Sequence, residues 1–216
     1  MIDQSEPILV LLSLVEGMPL PPPAARRGRP DVYADRLILK GLVVMLVRRV
    51  WQAHGLLAIL SEPTPQMARI RAHLTDQRGR FPSRRTWERR LERLAGVLPL
   101  LIALLGAWLL RRLAPWPHGG RAVAIDSTCL RARGGVWHKK HREVGEVPHT
   151  SIDTEAAWTK SGWHGWVYGW KLHVVVTVSD RVWLPLAANL TPANVADNEQ
   201  ATRLLTDLPD VIATLK

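Results

Sequence analysis

The stretch "AVAIDSTCLR", residues 122–131, alternates the apolar Val123 and Ile125 with smaller side chains, the period-two pattern of a β-strand, and sets a carboxylate, Asp126, in its middle. Burying that charge without a partner costs several kcal/mol. The side chain must therefore meet a cation, bond to the local hydroxyls of Ser127 or Thr128, or face a site that metal and water reach. Arg131 and Arg133 lie beyond the end of the expected strand. From these residues alone all three options stay open.

Working outward from this strand, "GWKLHVVVTVSDRVWLPLAANL" (169–190) reads as two β-rich runs joined as a hairpin at "SDR". The segment "TPANVADNEQATRLL" (191–205) then opens a helix, with Asn194 as the expected N-cap and Asp197 in the first turn, where a negative charge suits the positive end of the helix dipole. The predicted order is strand, long excursion, two paired strands, helix. Before residue 115 the periodicity is helical. From Asp31 to Leu60 apolar residues at helical spacing predict one or two helices that "SEPTP" stops. "QMARIRAHL" places Met67, Ile70 and Leu74 on one face. Ser83, after Pro82, is a good N-cap for a second helix in which Trp87, Leu91 and Leu94 form one stripe and Arg85, Arg89 and Arg93 lie opposite. At the start of the chain, "PLPPPAARRGRP" (19–30) forbids regular structure, so residues 1–30 are expected to be a flexible segment.

Twenty-nine Lys and Arg against 19 Asp and Glu leave a net charge of +10, so the preferred partner is anionic, with nucleic acid first and an acidic membrane surface second. Between residues 66 and 112 there are 11 Arg and no Lys against three acids. Most of the excess charge thus falls in one helical segment. Two short helices, a turn and a basic outer face fit a helix-turn-helix reader, although this turn is longer than the usual one. The alternative is a solvated Arg-rich helix in a plain bundle. The single cysteine, Cys129, forms no internal disulfide, which fits a reducing cytoplasm. "VLPLLIALLGAWLL" (97–110) is short for a bilayer span and is expected to be a buried helix.

Three blocks in order, "AIDST" (124–128), "YGWKLH" (168–173) and "LPLAANLTPANVADNEQ" (184–200), resemble the catalytic domain of insertion-sequence transposases of the DDE type, which have an RNase H-like fold. "FPSRRTWERRLERL" (81–94) resembles the helical DNA-binding region that precedes that domain. The resemblance implies that Asp126 is the first acidic residue of a catalytic and metal-binding triad. In such a site two Mg²⁺ ions, held by carboxylates on neighbouring rigid strands, promote in-line attack at phosphorus. It also implies that the second Asp lies on the strand after the helix and the Glu much later, whereas the chain stops at "LPDVIATLK" (208–216). Asp197, Asp207 and Asp210 are not suitable substitutes, so a truncated domain that cannot catalyse by itself is expected.

The excursion 131–168 carries "HKKH" (138–141), His149 and His164, but no spacing that fits a zinc site. Its cations and tryptophans offer charge and stacking surfaces for a DNA end. Packing is the ordinary fate of those tryptophans, above all Trp166 and Trp170. The expected fold class is therefore α+β or α/β: a flexible segment at 1–30, a helical, helix-turn-helix-like DNA-binding region at 31–115 and an incomplete RNase H-like domain at 120–216. The expected DNA-binding residues are Arg84, Arg85, Arg89, Arg93, Lys139, Lys140, Arg142 and Lys171. The expected partner is double-stranded DNA at element ends; a homodimer is allowed for, and a membrane is not expected. Two rivals to a transposase remain: a non-catalytic DNA-binding regulator that competes for element ends, and an unrelated RNase H-like nuclease.

Overall fold

The computed structural model of the chain describes residues 5–21, 31–76, 78–112, 122–178 and 183–213. Two compact units divide the chain, Met1–Leu98 and Pro99–Lys216.

The first unit is helical: α1 (Ser5–Gly17), α2 (Asp35–Val47), α3 (Ala53–Leu60), α4 (Pro65–His73) and α5 (Arg84–Ala95). Met67, Ile70 and Leu74 are buried together, as their shared face requires. Thr64 caps α4 by accepting the Met67 N–H at 3.1 Å, with Pro65 as the first helical residue. Ser83 caps α5 through the Thr86 N–H at 3.3 Å. Trp87 of α5 is fully buried, and its ring lies against Gly41 of α2, where an added Cβ would come within 2.2 Å of the indole. Only glycine permits that approach.

Arg90 of α5 is 4 % exposed, and its charge is neutralised inside the unit by Asp35 and by Asp31 at 3.2 Å, while it also donates to the Tyr33 carbonyl at 2.7 Å. Residues 5–17, expected to be flexible, instead form α1. Ile8 and Leu12, one turn apart, are buried, and Arg36 of α2 donates to the carbonyls of Val15, Glu16 and Met18 at the end of the helix. The proline-rich residues 22–30 lie outside the described residues.

The second unit contains α6 (Leu98–Arg112), β1 (Val123–Arg131), α7 (Lys139–Glu143), β2 (Ala157–Ser161), β3 (Gly165–Thr177), β4 (Pro185–Pro192) and α8 (Asp197–Ala213). All strand pairings are antiparallel. Gly169 of β3 faces Arg131 of β1 and Ala157 of β2, and Trp170–Val176 run between β1 and β4. Consequently β1 holds one edge of β3 while β2 and β4 lie end to end along the other. Helix α8 covers one face, where Leu204 packs with Val175, Leu186, Ala187 and Ile125. The fold is mixed α+β: helices, then an antiparallel sheet with helices.

Two local expectations shift. Helix α8 begins at Asp197 rather than beside Asn194, which sits in the preceding turn. The expected joint of β3 and β4 at "SDR" falls on 179–181, outside the described residues. Along α6, Leu101, Ala103, Leu104, Gly106 and Ala107 are buried, and no single described helix is long and apolar enough to cross a membrane.

Candidate active site and nucleic-acid surfaces

Asp126 lies near the middle of β1, opposite Val174 of β3, with its side chain exposed. Its Oδ1 accepts the N–H of Ser127 at 2.7 Å, and among the described residues no cation pairs with it. Of the three options for a carboxylate on this strand, a cation partner is absent among the described residues and a local bond, through the backbone, is present. Solvent reaches the remaining oxygen lone pairs.

The next residue points to the other face, because successive side chains of a strand alternate. There Ser127 Oγ donates to Asp197 Oδ1 at 2.9 Å, and the same oxygen receives Lys171 Nζ at 3.2 Å and faces His173 Nδ1 at 3.3 Å. Lys171 also donates to the Val195 carbonyl at 3.0 Å. His173 is 1 % exposed, and its Nε2 lies 2.9 Å from Thr191 Oγ1. This cluster ties the start of α8 to β1, β3 and β4.

Burial holds the His173 pKa below its usual value; the Asp197 charge opposes that shift and Lys171 reinforces it. Nδ1 of the ring faces the Asp197 carboxylate and Nε2 faces the Thr191 hydroxyl, which also lies 3.2 Å from the Pro192 carbonyl. For Asp197, burial alone would raise the pKa, but the Ser127 hydrogen bond and the bond and charge of Lys171 together hold it below the usual carboxylate value. Asp126 and Asp197 therefore occupy opposite faces of one sheet, so Asp197 does not join Asp126 in a metal site. The side chains of Asp207 and Asp210 lie outside the described residues.

Mg²⁺ is a hard cation that takes oxygen ligands, and an exposed strand carboxylate suits it. Two such ions need several carboxylates, and among the described residues no three His, Cys, Asp or Glu side chains gather around any point. The described residues do not build a two-metal cage around Asp126.

The expected DNA-binding cations separate into two kinds. Arg85 and Arg89 are exposed on α5 and have no acidic partner among the described residues. Arg84 is exposed but pairs with Glu88 at 2.7 Å, and Arg93, one-third exposed, pairs with Asp31 at 3.1 Å. Lys140 is exposed; Lys139 is exposed within 3.6 Å of Glu143; and Arg142 lies over the Trp137 ring at 5.7 Å. Lys171 is different. With its side chain 14 % exposed and bound to Asp197, it serves the cluster beneath β1 and is not free to meet a phosphate.

Trp170 packs as expected, with Nε1 donating to Asp153 at 2.8 Å, but Trp166 is 64 % exposed. The difference follows from register: Trp166 lies on the part of β3 paired with β2 alone, beyond the reach of β1 and β4. Sequence reasoning also missed the role of His173. Its placement in "YGWKLH", two residues from Lys171 and so on the same strand face, is the signal that points to it.

Comparison with known families gives one match: residues 117–215 correspond to the family described as "Transposase DDE domain". No solved structure matches the chain.

Proposed function

From the transposase DDE domain that occupies residues 117–215, we propose that the protein acts in DNA transposition, holding element ends through its helical unit and presenting Asp126 as the first carboxylate of an RNase H-like phosphoryl-transfer centre. The observation that carries this reading is an exposed carboxylate on the middle of a strand, without a cation beside it among the described residues, within that domain. A structural aspartate has its charge compensated; Asp197, at the start of α8 against the opposite face of the sheet, is the example. Exposed and uncompensated, Asp126 is suited to a cation and a phosphate that arrive together. Arg85 and Arg89 serve as phosphate contacts, since both charges are outward and unpaired among the described residues.

A second reading is favoured by one specific observation. Among the described residues no three His, Cys, Asp or Glu side chains gather at Asp126, which favours a chain that binds DNA without cutting it and acts as a competitor for element ends. The test separates both from unrelated chemistry. Duplexes selected from a random pool should bind with a steep salt dependence, and nicking of the selected duplex should be assayed with and without Mg²⁺. Binding without nicking supports the regulator; Mg²⁺-dependent nicking lost in Asp126→Asn supports the enzyme. Absence of any selected duplex removes the transposition reading.

A further inference from the structure

The β2–β3 hairpin extends past the rest of its sheet. Gly165–Tyr168 pair only with β2, because β1 begins its pairing at Gly169 and β4 at Trp170. A two-stranded ribbon therefore projects, closed by Gly162, Trp163 and His164. Its tip is held in shape: Ser161 Oγ accepts the N–H groups of both Trp163 and His164 at 3.3 Å, and Gly165 takes φ +64° to close the turn. On this ordered tip the Trp163 side chain is 95 % exposed. A large apolar ring held in water contributes nothing to the fold that displays it.

The ribbon carries more of the same chemistry. Cross-strand pairing sets Lys160 opposite Trp166 and Trp158 opposite Tyr168, so these four share one face. Trp166 is 64 % exposed and makes an edge contact with Trp158 at 6.4 Å, and His138, just before the cationic α7, also lies 6.4 Å from Trp158. Lys160 and Lys140 are exposed and carry no ion pair among the described residues. Exposed indoles interleaved with unpaired ammonium groups are what a single strand of nucleic acid requires: a flat surface for each base and positive charge for its phosphates.

We propose that the β2–β3 ribbon is a binding site for unpaired nucleotides of a DNA end, with Trp163 stacking on a base, Trp166 offering a second surface and Lys160 meeting the backbone. The assignment rests on the DNA reading above and adds to it a ligand class and three residues. From Gly165 to Val174, the partner of Asp126, β3 spans nine residue steps, or about 30 Å at strand rise. The ribbon would thus hold nucleotides well away from the strand carrying Asp126 and keep that end from re-pairing.

Two probes test this with the full chain: one blunt 20-base-pair duplex, and the same duplex carrying a four-nucleotide single-stranded extension with 2-aminopurine in it. Wild type should prefer the extended duplex and quench the 2-aminopurine by stacking. Trp163→Ala should lose about tenfold in affinity for the extended duplex and most of the quenching, with blunt-duplex binding unchanged; Trp163→Phe should keep much of both. Lys160→Gln should weaken extended-duplex binding and reduce its salt dependence. Equal affinity of wild type and Trp163→Ala for the extended duplex overturns the proposal, as does an equal loss on both probes, which would make the ribbon a duplex contact. If wild type binds neither probe, the DNA reading itself falls, a result distinct from either of those. Because Trp163 is almost wholly exposed, its replacement leaves the packing intact.

Discussion

A buried cation of the helical unit and an exposed carboxylate of the sheet are held in opposite ways. In the helices Arg90 is buried, and Asp31, Asp35 and the Tyr33 carbonyl surround it; Lys40, nearly as buried, holds Glu16. In the sheet Asp126 is left in solvent with only a backbone N–H for company. One arrangement spends its ionic groups on holding elements together, and the other leaves one uncommitted. The difference teaches that a charge placed by packing brings its counter-charge with it, whereas a charge left at the surface is compensated by solvent.

The widest test of that contrast removes packing from the helical unit. Trp87→Ala should lower stability by about 3–5 kcal/mol in urea unfolding, because the fully buried indole leaves a cavity that Gly41 and its neighbours cannot fill. Arg90→Ala should cost about 2 kcal/mol, less than a wholly buried pair, since Asp31 and Asp35 are themselves 42 % and 60 % exposed and solvent takes up much of their charge. Next comes binding: Arg85→Ala with Arg89→Ala should weaken duplex binding about tenfold and flatten the salt slope by about 2, read by anisotropy titrations at several salt concentrations. Unchanged binding would turn α5 into an ordinary solvated helix.

Within the sheet, Ser127→Ala should cost about 1 kcal/mol through loss of the bond to Asp197. The same cluster sets a pH dependence. Burial depresses the His173 pKa, so the unfolded chain takes up its proton first; stability from the neutral histidine is complete above about 6.5 and is lost as pH falls through that value toward the folded pKa. Asp197, Lys171 and Thr191 face the ring, and the Asp197 carboxylate limits the loss. Asp197 is also held below its ordinary 3.8, so its own contribution is present above that pH and disappears as pH drops further. His173→Gln should remove the upper of these two windows, as denaturation midpoints measured from pH 7.5 to 5 would reveal. The smallest effect belongs to Asp126→Asn, which should change stability by no more than about 0.5 kcal/mol. A larger loss would mean that Asp126 is a structural residue after all.

Much of this was legible in the linear chain. The stripes of Met67, Ile70 and Leu74 and of Trp87 and Leu94, the Ser83 cap and the strand around Asp126 are local, written at periods of 3.6 and 2. Helix α1 was hidden by the prolines that follow it, since its stability comes from docking Ile8 and Leu12 and from Arg36 rather than from any signal of its own. Strand β2 was hidden too: five residues between loops show little period, and only the pairing of Ala157–Ser161 with β3 makes them a strand.

By itself the sequence determined the helical and β-rich halves, the basic character of 66–112, the likeness to a transposase domain and the strand that holds Asp126. These depend on composition and on short-range periodicity, which a chain carries whether folded or not. Only the tertiary structure decided which charges are spoken for: that Arg90, Arg93 and Lys171 are engaged, that Arg85, Arg89 and Asp126 have no ionic partner among the described residues, and that Trp163 stands in water. Ionic partners such as Arg90 and Asp35, or Lys171 and Asp197, are set by distance across packed elements, and separation along the chain carries almost no information about that distance.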